Sequence, residues 1–198
     1  MKIADIIHEA HATACEKGWH DRPLRNEAGE LDVDRVAAKL ALIHSEITEA
    51  WECWSMRDFD TRVSNSGKPE GLFVELADVV IRVGDLLGAL DIEYSGSWAT
   101  TREVWDEVIR PSFGDMPALF VRAHGSVSYA LEALRDSSEV DVEEELTCLI
   151  GQCVQLAKGA ASLFFGSSPE SPDPFTEAVR IKTAYNRTRP HRHGGKAL

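Results

Sequence analysis

Apolar residues recur along this chain at three- and four-residue spacing, the period of an α-helix, over almost its whole length. Residues 2–17 predict a first amphipathic helix, closed by Gly18. A polar connection with Pro23 and Gly29 follows. A long helix is expected from Asp32 to Arg57, with Val36, Leu40, Ile43, Ile47, Ala50, Trp51 and Trp54 as its apolar stripe. Asp58–Lys68, rich in Ser, Asn and Gly, reads as a loop, and Pro69 suits the first turn of a helix running to Leu90. The connector Asp91–Met116 is expected to hold a short helix, Trp98–Ile109. Further helices are expected near Pro117–Arg135 and Val142–Phe165, and Phe175–Arg187 follows a Ser/Pro-rich linker, Gly166–Pro174. No segment alternates with the period of a strand. The expected fold is a single all-α domain, an antiparallel helical bundle.

Two pairs of segments can be superposed. IHSEITEAWECW (Ile43–Trp54) lies over AHGSVSYALEAL (Ala123–Leu134), and ELADVVIRVGDLL (Glu75–Leu87) over ELTCLIGQCVQLA (Glu145–Ala157). The apolar positions agree in both, which suggests a duplicated helical hairpin and a pseudo-symmetric four-helix core. Unrelated amphipathic helices can align in the same way, so the repeat is an expectation for the structure to test. Under this alignment Glu46 corresponds to Ser126, Glu49 to Tyr129 and Asp78 to Cys148, while Glu75 keeps an acid as Glu145. Residues 1–90 would form a charged half, 117–165 a degenerate half, and 175–198 a basic helix and tail.

Composition narrows the chemistry. The formal net charge of the 198 residues is -12, which repels a nucleic-acid backbone and argues against a DNA- or RNA-binding module. No apolar run approaches the roughly 20 residues of a membrane helix, and the N-terminus lacks the apolar core of a signal peptide. A cytoplasmic protein is expected. Cys15, Cys53, Cys148 and Cys153 form no CxxC pair and read as small buried hydrophobes in a reducing compartment.

The acids at Glu46 and Glu49 lie three apart on one expected helix, and Glu75 and Asp78 three apart on the next. Each pair shares a helix face and borders apolar residues. Antiparallel packing would bring the four acids together, where their repulsion calls for divalent cations. All-oxygen ligands favour Mg²⁺ or Mn²⁺. The competing reading is a solvated acidic face on a helical interaction module.

The pattern Glu46-x-x-Glu49, then 25 residues, then Glu75-x-x-Asp78 resembles the ExxE…ExxD signature of the all-α NTP pyrophosphatase superfamily, which includes MazG-like enzymes and dimeric dUTPases. Ser45 stands where many MazG sequences have the first acid of EExxE. The resemblance implies an all-α bundle and Mg²⁺-dependent hydrolysis of a (deoxy)nucleoside triphosphate to the monophosphate and pyrophosphate. It also implies possible homodimers, since relatives commonly form dimers or tetramers. In this reading Glu75 and Asp78 hold metal, and Glu46 and Glu49 bind metal or activate water, with Glu49 favoured as the base. A phosphohydrolase acting on another nucleotide is the alternative enzyme.

Lys182, Asn186 and Arg189 fall on one face of the last expected helix, and Pro190 stops it. Arg192, His193, Gly194, Gly195 and Lys196 follow, similar to the tails of some MazG-like proteins. These cations in an acidic chain suit phosphate, as does Lys39, two turns before Glu46. Trp19 and His20 are candidates for stacking on a base. His8 and His11 read as surface, and His191 as a phosphate contact or tail residue.

Overall fold

The computed structural model describes residues 1–92, 94, 111–165 and 173–195. The expected helix Trp98–Ile109, Lys196 and most of the linker before Pro174 lie outside them. The described residues form α1 (Ile3–Glu16), α2 (Val33–Met56), a two-residue hairpin of β1 (Arg62–Val63) and β2 (Pro69–Glu70), and α3 (Leu72–Ala89). After these come α4 (Met116–Arg135), α5 (Glu139–Phe164) and α6 (Pro174–Thr188). The fold is all-α, as expected. No helix among the described residues is long and apolar enough to cross a membrane.

Local chemistry places the helix ends. Asp32 caps α2 by accepting from the Arg35 N–H, and Arg57 closes it in the left-handed conformation at φ 58°. Asp173 caps α6 by accepting from the Phe175 and Thr176 N–H groups. Ser138 caps α5, which therefore starts three residues before the expected Val142. Pro69 does not open a helix. It pairs with Val63 in the small hairpin, and α3 begins after Gly71. Gly71 has φ 115°, and a Cβ there would lie 2.3 Å from the Asp60 carbonyl oxygen, so the chain turns at the glycine rather than the proline. The cysteines also depart from expectation: only Cys153 is buried, while Cys15 and Cys148 are exposed.

α3 is the central element. Thirteen of its eighteen residues are buried, because α1, α2, α5 and α6 all pack against it. α2 also packs on α4, and α4 on α5, completing a four-helix core. α1 comes unusually close to α3. A Cβ on Gly84 would lie 3.1 Å from the Ile7 Cα, and one on Gly88 2.6 Å from the His11 Cβ. These two glycines, one turn apart, let α1 settle against the α3 backbone.

Equivalent residues of the two aligned hairpins make equivalent contacts. His44 on α2 meets its counterpart His124 on α4, Nδ1 to Nδ1 at 2.8 Å with the rings stacked. Glu46 pairs with Arg82 at 2.6 Å, and their counterparts Ser126 and Gln152 hydrogen-bond at 3.2 Å. Positions aligned between the two hairpins thus occupy corresponding places in these contacts.

Candidate metal and phosphate site

Three of the four expected acids meet. One carboxylate oxygen from each of Glu46, Glu75 and Asp78 lies within 4.8 Å of the others, and all three residues are buried, at 5%, 4% and 9% exposure. Helix geometry explains why Glu49 does not join them. Residues three apart on a helix differ by about 60° around the axis. On α3, buried at every position from Leu72 to Val80, that rotation leaves both acids inside. On α2, which has a solvent face, it moves Glu49 to the rim, with its side chain 46% exposed.

Cations from elsewhere offset the cluster. The Arg82 Nε donates to Glu46 Oε1 at 2.6 Å, and its Nη2 forms an ion pair with the same oxygen at 2.6 Å. The buried Lys182 ammonium binds Asp78. Lys68, from the turn between β1 and β2, stands between Glu75 at 3.9 Å and Glu49 at 4.0 Å. Glu75 is the least compensated, and its Oε2 is buried without a hydrogen-bond partner. Burial, then the Asp78 charge, pushes the Glu75 carboxyl up to about 7, against the pull of Lys182 and Lys68. Burial raises Asp78 as well, opposed by Lys182.

The donor set fits a hard divalent cation. It offers three converging carboxylates, no soft ligand among them, and an orphaned buried oxygen that needs a proton or a metal.

Beside the cluster lies a cavity of ≈ 260 Å³ between α1, α2, α3 and α6. Asp78 and Arg82 form the part of its wall nearest the acids. Among the residues expected to bind substrate, Trp19, Lys39, Asn186, Arg189 and His193 line it. The Arg189 guanidinium lies 5.7 Å from the centre of the Tyr185 ring, and burial lowers its pKa. Among the described residues no carboxylate stands at ion-pair distance from it. His193 packs edge-on against Trp19, with ring centres 5.0 Å apart.

Other expected phosphate contacts are placed differently. Lys182 is turned inward to the carboxylates. Arg192 ties the tail to the end of α1, donating to the Gly18 carbonyl at 3.0 Å and pairing with Asp21 at 3.2 Å. His191 also pairs with Asp21. It packs so closely over Gly18 that a Cβ there would lie 1.9 Å from its Nε2. Lys39 is buried and pairs with Asp85 at 2.8 Å.

Asp85, Arg82 and Lys68 are absent from the sequence expectations. Arg82 and Asp85 fall four and seven residues after Asp78, on the same face of α3, so the signal was present in their spacing. Lys68 arrives through a hairpin that no periodicity announces. His11, expected on the surface, is half-buried and joins His20 at Asp85. Burial works to raise the Asp85 carboxyl, but hydrogen bonds from His11 and His20 and the Lys39 charge hold it well below the usual carboxylate range. None of the family models, curated proteins or solved structures compared with this chain matches it.

Proposed function

We propose that this protein hydrolyses a nucleoside triphosphate to the monophosphate and pyrophosphate with Mg²⁺, or Mn²⁺ in its place. One observation carries the reading: a buried three-carboxylate cluster with an orphaned Glu75 oxygen borders, through Asp78 and Arg82, a cavity lined by Trp19, Asn186 and Arg189. Glu46, Glu75 and Asp78 would hold the metal, which supplies charge neutralisation on phosphate oxygens and a more acidic bound water. The partial solvent access of Glu49 suits it to take the proton of the attacking water. Arg189 and Asn186 bind phosphate and sugar oxygens, and Trp19 offers a face to the base. The ExxE…ExxD spacing supports the same reading. So does the alignment of the two hairpins, in which the second carries Ser126 and Gln152 in place of Glu46 and Arg82.

The deciding experiment is a panel of the eight common (d)NTPs with Mg²⁺, scored separately for pyrophosphate and for phosphate. Pyrophosphate from at least one substrate, lost on chelation, is expected. Phosphate as the product points to another phosphohydrolase. No turnover and no Mg²⁺ binding would leave the acids as a charged face of an interaction module.

A further inference from the structure

A second cluster lies two turns along α3 from Asp78, about 10 Å by helix rise. His11 of α1, His20 of the following loop and Asp85 of α3 each place one donor atom within 4.8 Å of the other two. His20 Nε2 lies 2.6 Å and His11 Nδ1 3.3 Å from the same carboxylate oxygen, Asp85 Oδ1. We propose that these residues form a binding site for one divalent transition-metal ion, of the Zn²⁺ or Co²⁺ kind, separate from the carboxylate site.

The chemistry of the donors differs from that of the first cluster. Two imidazoles and one carboxylate suit a borderline ion, whereas three carboxylates suit Mg²⁺. Donors bound at about 2.1 Å in tetrahedral geometry sit roughly 3.4 Å apart. The His11–Asp85 separation of 3.3 Å already meets that spacing. His20 would have to withdraw by less than about 1 Å as the ion replaces the ring protons now directed at Asp85.

The surroundings are built for the cluster. Gly88 leaves the space that His11 occupies over α3, since a Cβ there would sit 2.6 Å from the His11 Cβ. The far nitrogen of the His11 ring faces Cys15 Sγ at 3.6 Å, which fixes the ring from behind. Lys39 binds the other oxygen, Asp85 Oδ2, and leaves Oδ1 to the two histidines. Side-chain exposures of 30%, 8% and 15% for His11, His20 and Asp85 allow an ion to enter past His11 while excluding most water. A groove lined by His8, His11 and Gly88 leads there. The bound ion would pin α1 and its following loop to α3, and so hold Trp19, next to His20, in the cavity wall.

The test is Co²⁺ titration of the chelator-treated full-length chain, read by visible absorption. One Co²⁺ per chain with the intense bands of a low-coordinate site is expected, displaced by Zn²⁺. His11→Ala and His20→Ala should each weaken binding by more than about 100-fold, the upper end of what losing an outer partner costs. Glu75→Gln should leave the bands in place. His11 is half-exposed, so its variant tests the site even where His20→Ala fails to fold. Spectra no different from aqueous Co²⁺ would overturn the site. So would unchanged affinity in His11→Ala, or bands lost in Glu75→Gln but kept in His11→Ala.

Discussion

Lys182 of α6 reaches across to Asp78 of α3, so the C-terminal helix is fastened to the acidic cluster by an ion pair whose lysine side chain is only 3% exposed. Removing one member of such a pair strands the other in low dielectric, at a cost of about 3–5 kcal/mol. Lys182→Met should therefore lower stability by that order in urea unfolding without metal. Saturating Mg²⁺ should recover part of the loss, and Asp78→Asn added to Lys182→Met should recover most of it. A Lys182→Met protein as stable as wild type would remove the pair from the account.

Glu75 gives the metal-free protein a pH dependence of definite sign. Its carboxyl rises from 4.5 to about 7 on folding, so the folded state holds the proton more tightly than the unfolded chain. The stabilisation is complete below about pH 4.5 and is lost as pH climbs through 7. At 1.36 kcal/mol per unit the change is of order 3 kcal/mol at most. Chemical denaturation at pH 5 and pH 8 should show it. Glu75→Gln should flatten the profile, and Mg²⁺ should offset the loss at pH 8.

Glu49 and Glu75 should separate chemistry from metal binding. Glu49→Gln should reduce pyrophosphate release by about 10²–10⁴, the usual contribution of a general base, with Mg²⁺ affinity close to wild type. Glu75→Gln should lose both. Calorimetric titration alongside steady-state rates makes the comparison, and equal loss of Mg²⁺ binding in the two variants would make Glu49 a ligand.

Arg189 is a cavity-wall cation with no described carboxylate at ion-pair distance. Hydrogen bonds to charged groups contribute about 1.5–3 kcal/mol. Arg189→Ala should thus raise KM for the triphosphate by roughly ten- to a hundredfold while thermal stability stays near wild type. An unchanged KM would take α6 out of substrate binding.

Gly18 should tolerate no side chain. Its φ of 78° and the His191 ring against it make Gly18→Ala strained twice over. A loss of about 1–3 kcal/mol is expected. The tail beyond Pro190 should become sensitive to limited proteolysis as its contacts with α1 loosen.

The helices were legible because each carries its own period and punctuation. Asp32, Arg57 and Asp173 lie where the boundaries were expected to within a residue. The start of α3 was misread because Pro69 fits either a first helical turn or a hairpin edge, and only the closeness of Gly71 to Asp60 decides between them. His44 and His124 fall at the same position of the aligned segments, but alignment alone does not say which aligned residues touch.

By itself the amino-acid sequence determined which residues share a helix face: Glu46 near Glu49, Glu75 near Asp78, Lys182 near Arg189. Local backbone geometry suffices for that. The tertiary structure decided which faces look inward and at what. It left Glu49 at the rim, turned Lys182 onto Asp78, and brought His11 and His20 to Asp85 through the glycine contact of α1 with α3. Helix rotation and close approach are set by packing between elements distant in the chain, and no spacing along one element encodes them.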